Sequence, residues 1–197
     1  INNATITLNG ANSKGMFGEA DGTTKSNVVN NGTIKGVNGS TVGMAVDGSN
    51  ATNNAGKSIV LEGKGSTGIF GKNASTVTNA GTIETKTAVP TNSTEGLVGI
   101  ALNASTGTNE TSGEIILGTA HSTGMFGENN STLTNAGNIT GIADNAVGMA
   151  AKASTATNNS GATITLNGIN STGMFGEANG TIKSDVTNSG TITGKGE

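Results

Sequence analysis

The side chains with chemical reach are few and regularly spaced. Glu19, Glu128 and Glu177 each close a Gly-Met-Phe-Gly-Glu run, and Lys72 takes that place after Gly68-Ile69-Phe70-Gly71. Carboxylates gathered on one ledge could do general acid–base work. On alternate coils of a solenoid they would stand about 10 Å apart, a spacing that suits neither retaining glycoside chemistry nor a shared metal. His121 is the single histidine, and it aligns with Asn12, Gly65 and Asn170 of sister repeats. It is therefore expected in a surface turn and not as a general base. One histidine, no cysteine and the scattered Asp21, Asp47, Asp144 and Asp185 make no metal-ligand cluster. The calcium-binding G-G-x-G-x-D nonapeptide is absent, and Gly63–Gly68 lacks the strand–loop–helix context of a phosphate loop. No catalytic, metal or cofactor residue is assigned, and the chain reads as a non-enzyme.

The elements that must position these residues follow from self-similarity. Gly-Met/Ile-Phe-Gly recurs at 15–18, 68–71, 124–127 and 173–176, with Val-Gly-Met/Ile-Ala between them at 42–45, 98–101 and 147–150. A second anchor, as in Asn79-Ala80-Gly81-Thr82-Ile83, follows each. Within a repeat the apolar residues alternate with period two: Val42, Met44 and Val46 share one parity, as do Ile59 and Leu61. Gly, Asn and Ser bound these short runs and supply turns. The pattern predicts an all-β fold, a right-handed parallel β-helix of about 24 residues per coil and roughly seven coils. It treats 1–197 as one solenoid segment of a longer protein. Four extra residues enter at 19–30 and again at 177–188, and seven more enter at 85–96, around the only proline, Pro90. Solenoids tolerate insertions at a junction.

The coils fall into two types. Where Met or Ile is followed by Phe-Gly, the third strand carries a bulky residue (Val28, Val77, Leu133, Val186). Where it is followed by Ala and then Val, Leu or Ala, the third strand carries a small one (Ala51, Gly107, Ala156). Such compensation is what a core of constant density requires, and it argues against disorder in a chain rich in Gly, Asn, Ser and Thr. Asparagine stands two residues before the anchor glycine at Asn30, Asn54, Asn79, Asn135, Asn159 and Asn188. Stacked coils would place these amides in a structural ladder about 4.8 Å apart. Two placements are open for Phe17, Phe70, Phe126 and Phe175. Parity from the inward Met points them outward as an apolar stripe; a glycine-permitted bulge would turn them into the core, the slightly favoured placement.

Composition excludes several partners. All ten cations are lysine, so bidentate phosphate or guanine recognition is absent and nucleic acid is not an expected partner. No stretch of 18 apolar residues occurs. The Asn-x-Ser/Thr triplets at Asn50, Asn73 and Asn103 follow from Asn- and Thr-rich turns. A flat threonine array of the ice-binding kind is hinted at by Thr5/Thr7 and Thr163/Thr165, but Ile59–Leu61 and Ile115–Leu117 interrupt it.

Together, Asn-x-Gly-Thr-Ile, Ser-Thr-Gly-Met-Phe-Gly-Glu and Val-Gly-Met-Ala followed by a Ser/Thr/Ala run resemble the passenger domains of the very large type V autotransporter adhesins of fusobacteria, the RadD-like family. The resemblance covers essentially the whole chain as repeats. It implies a signal peptide before this region, a C-terminal outer-membrane barrel after it, and display on the bacterial surface. It also implies adhesion to bacterial or host-cell protein or glycan. The leading expectation is thus a monomeric, rigid adhesive stalk without cofactor. Its candidate ligand-contact loop is the insertion carrying Pro90, Asn92 and Glu95, since loops on rigid scaffolds carry recognition. The runner-up is a carbohydrate-active β-helix enzyme, a lyase, hydrolase or tailspike-like depolymerase.

Overall fold

The computed structural model describes residues 1–86 and 96–194, and in it the chain winds as a parallel β-solenoid of about seven turns. Twenty-two strands among the described residues form three parallel sheets: sheet I with eight strands, sheets II and III with seven each. Each turn gives one strand to each sheet, the first turn supplying Thr5–Leu8, Lys14–Glu19 and Asn27–Asn30. Strands pair in register one turn away, so Ile34 lies beside Ile59 and Ile139 beside Ile164, steps of 25 residues. β-Branched Thr, Val and Ile, stiff at χ1, suit these short pleated segments. At the corner between sheets I and II the chain turns through left-handed residues, Asn12, Ser40, Gly65, His121, Asn145 and Asn170. His121 is exposed there, one of a row of turn residues.

Registered stacking makes the core a set of columns. Ile34, Ile59, Ile83, Ile115, Ile139 and Ile164 form one from sheet I, all fully buried. Met44, Ile69, Ile100, Met125 and Met149 form another from sheet II. Just before that column stands a row of glycines. A Cβ on Gly43 would lie 2.7 Å from the carbonyl oxygen of Gly68, and one on Gly68 2.5 Å from that of Gly99. Only glycine allows backbones to approach so closely. The strand bends here, so that glycine and the next Met or Ile are both buried.

The size compensation between coil types is a direct contact. A Cβ on Gly71 would meet Val77 Cγ2 at 2.8 Å, and one on Gly107 would meet Leu102 Cδ1 at 2.7 Å. Small residues of sheet II are thus filled from sheet III of the same turn, and in the next turn the roles reverse. A second compensation, not read from the sequence, runs from sheet I across the next corner. Leu61 and Leu117 are followed by buried Ser66 and Ser122, whereas Gly36 and Gly141 are followed by buried Thr41 and Ala146.

Two polar ladders run through the corners. The asparagine ladder is eight residues long: Asn2, Asn30, Asn53, Asn79, Asn109, Asn135, Asn158 and Asn188. Each Nδ2 donates to the next Oδ1 at 2.8 Å. Asn54 and Asn159 therefore do not belong to it, and Asn109 does. The reason lies in the turns. Asparagine is always the last residue of the sheet III strand, but the anchor glycine follows at different distances. Gly32, Gly81, Gly137 and Gly190 stand two residues on. Gly56 and Gly161 stand three on, at positive φ, and Gly113 stands four on. Asn54 lies outside the core and donates to Asn31. The second ladder is of serine. The backbone N–H of Ser26, Ser49, Ser75, Ser105, Ser131 and Ser154 each donates to the hydroxyl of the serine one turn on, at 3.0–3.2 Å. Among the described residues no buried side-chain nitrogen or oxygen lacks a partner.

Asn109→Ala should strand the Asn79 amide and the Asn135 carbonyl and cost roughly 2–4 kcal/mol in urea unfolding, whereas Asn54→Ala should cost well under half of that. Gly107→Leu should destabilise by about 1–3 kcal/mol through overpacking against Leu102. Adding Leu102→Ala should restore at least about 1 kcal/mol of this, read as coupling in a double-mutant cycle.

Candidate functional site

Sheet II is built from Lys14–Glu19, Val42–Asp47, Thr67–Lys72, Val98–Asn103, Thr123–Glu128, Val147–Lys152 and Thr172–Glu177. Along its outer face the register sets Phe17, Ala45, Phe70, Ala101, Phe126, Ala150 and Phe175 in one line. These four phenylalanines are all the aromatic residues of the chain. Phe17 and Phe175 are 56% and 48% exposed, and Phe70 and Phe126 are half-buried. The core placement is thus corrected. The glycine-permitted bend does occur, but it lies before Met or Ile, and the alternation resumes at Phe, which faces out.

Beside the phenylalanine line runs the column Glu19, Asp47, Lys72, Asn103, Glu128, Lys152 and Glu177. The carboxylates expected on alternate coils are there, but Asp47, Asn103 and Lys152 share their ledge. Lys72 Nζ lies 2.8 Å from Asp47 Oδ2, and Asn73 donates to Asp47 Oδ1 at 2.7 Å. The hydrogen bonds from Lys72 and Asn73 hold the Asp47 carboxyl below its ordinary pKa, and the bond to Asp47 raises that of Lys72. Both groups are solvated, so the pair orders the ledge more than it stabilises the fold. Asn103 donates to Glu128 at 2.7 Å.

The insertions border this same sheet. Residues 20–26 and 178–184 leave at the corner between sheets II and III, and the third insertion lies in sequence between Thr82–Thr85 of sheet I and Val98–Asn103 of sheet II. Pro90, Asn92 and Glu95, the candidate contact residues, lie outside the described residues. The first insertion folds on itself through paired Asp21 and Thr24.

Elsewhere the surface offers less. A cleft lined by Leu166, Ile169, Ser171 and Ile192 opens at the last turn and has no ionisable side chain in its lining. No group of three or more His, Asp or Glu lies together as a metal site among the described residues. On sheet I, Lys35, Val60, Glu84 and Ile116 interrupt the outward column that holds Thr7 and Thr165. The longest threonine column stands instead on sheet III, from Thr52 through Thr78, Thr108, Thr134 and Thr157 to Thr187.

Residues 44–152, more than half of the chain, match the family model described as BigA third pectate lyase-like domain. The chain belongs to that family. The BigA third pectate lyase-like stretch takes in four whole strands of sheet II and most of a fifth, with Phe70 and Phe126 among them, while Phe17 and Phe175 fall outside it. No curated protein matches the chain, and no solved structure does.

In Lys72→Met the Asp47 carboxyl should titrate at a higher pH than in the parent chain, as followed by carboxyl carbon NMR. An unmoved titration would mean that the pair does not persist in solution.

Proposed function

We propose that this solenoid is a segment of a surface-displayed bacterial adhesin, a rigid stalk whose sheet II face makes the contact. The observation that carries the reading is the line of four outward phenylalanines. A chain with only four aromatic side chains places none of them in its core and aligns all of them on one face. Aromatic rings are large apolar groups that dominate interface energetics, and contiguous exposed apolar surface marks interaction sites. A flat strip about 30 Å long, across seven strands, suits many weak contacts whose sum gives avidity. The partner is a protein or glycan on another bacterium or a host cell. As in the fusobacterial autotransporter passengers that the repeats resemble, the segment would be carried outside the cell by an outer-membrane barrel elsewhere in the polypeptide.

The ledge supports a binding role over catalysis. Asp47 is engaged by Lys72 and Glu128 by Asn103, so these carboxylates are held in side-chain pairs along the rod. Beads coated with the chain should attach to target bacteria or epithelial cells, and Phe70→Ser/Phe126→Ser should abolish most attachment while the variant still melts cooperatively above the assay temperature. Equal attachment by the double variant would sink the reading. Release of product from a polysaccharide panel would replace it with the enzyme alternative.

A further inference from the structure

We infer that sheet II is a repeating site for an extended, uncharged β-1,4-linked glycan lying along the solenoid axis, with the four phenylalanines as successive ring platforms. The inference deepens the adhesive reading and rests on sheet II being its contact face.

The chemical repeat of this face is two turns, not one. Strands Thr67–Lys72, Thr123–Glu128 and Thr172–Glu177 each present a threonine, a phenylalanine and then a charged group outward. The two strands between them, Val98–Asn103 and Val147–Lys152, present a valine, an alanine and then a polar or charged group instead. Equivalent platforms therefore recur every two strand spacings, about 9.6 Å. A ligand that fills them equivalently must itself repeat at that interval. An extended polypeptide returns the same face every two residues, about 6.7 Å, and does not keep step. Two turns of an α-helix, about 10.8 Å, come nearer, but its convex side-chain surface offers no flat face to lie on a ring. In an extended β-1,4-linked chain of pyranose rings, alternate rings are turned over. The same face returns with every disaccharide, an interval close to two strand spacings.

The groups at each platform suit such a ring. Its apolar C–H face can lie on phenylalanine. Its edge hydroxyls can then meet the Thr67 or Thr123 hydroxyl on one side and Lys72 or Glu128 on the other. Ala101 and Ala150, both half-buried, leave room for the intervening ring, whereas Ala45 is covered and leaves none. Charge narrows the class further. The outward face holds four carboxylates, Glu19, Asp47, Glu128 and Glu177, against Lys14, Lys72 and Lys152, a balance of −1. With no excess of cations the face offers a polyuronate or a sulfated glycan nothing to neutralise its charge, whereas an uncharged chain needs none.

The test is calorimetric titration of the chain with cello- and chito-oligosaccharides of two to eight rings. Malto-oligosaccharides and polygalacturonate serve as controls. Affinity should be weak for the disaccharide and should rise roughly tenfold with each added disaccharide until the platforms are filled. In Phe70→Ala/Phe126→Ala the longest oligosaccharide should fall back to near the disaccharide level, with a cooperative melting transition retained. Affinity independent of length, equal binding by the double variant, or tighter binding of polygalacturonate would overturn the inference. So would phenylalanine-dependent dimerisation in the ultracentrifuge without glycan binding. The cell-attachment assay separates the two readings. Attachment that needs Phe70 and Phe126 while no oligosaccharide binds overturns the glycan and leaves the adhesin. Length-dependent glycan binding without attachment supports the glycan site and removes the adhesin.

Discussion

Strand-on-strand registration, one turn above the next at a single strand spacing, is the constraint from which the rest of this molecule follows. Every position of a turn becomes a column, and a column admits only residues that can stack on their own counterparts. Aliphatic side chains do so by dispersion and exclusion of water. Asparagine does so by passing a hydrogen bond from amide to amide, and serine by receiving one from the backbone of the turn before. Glycine does so where the neighbouring carbonyl leaves no room for a β-carbon. A polar side chain buried in such a column is fully paired because its neighbours are copies of it. This is how a chain with few large apolar residues closes a core without orphaned polar groups.

Much of this was legible in the sequence, because periodicity survives even where composition resembles that of disordered chains. The period, the strand character and the exchange of bulk between Gly71 and Val77 or Leu102 and Gly107 all rest on spacing alone. Counting back from the anchor glycine lands one residue past the ladder at Asn54 and Asn159 and passes over Asn109, because that glycine belongs to a turn of variable length. Measured from the strand end, the same asparagines fall in line. For Phe70 the sequence admits two placements, outward by parity or inward by a bend, depending on which residue of Gly68-Ile69-Phe70 bends. Period-two parity does not say which of two adjacent positions absorbs the kink. The serine ladder left a faint signal, a serine just before each sheet III strand, hidden among many surface serines.

The candidate face was legible only in part. The phenylalanines and the acids that follow them were evident as motifs, but Asp47, Asn103 and Lys152 join that ledge only through register between coils of different type. Assigning the chain to the BigA third pectate lyase-like family agrees with the solenoid and says nothing further about the ledge. Function here lies in outward positions, which the stacking rule leaves free to vary. For that reason their meaning is carried by which side chains share a face, not by the repeat itself.

The asparagine and serine ladders also give the rod a polarity. Every amide in the first donates toward the later turn, and so does every backbone N–H in the second. Their dipoles add along the axis instead of cancelling. At these two corners a completed turn therefore shows its next neighbour an amide and a backbone N–H as donors, beside carbonyls that accept from the incoming strands. Such a template favours winding in one direction, with each turn stabilised by the one before. A segment that entered with its strands reversed would carry its asparagine at the far end of sheet III, out of reach of the ladder.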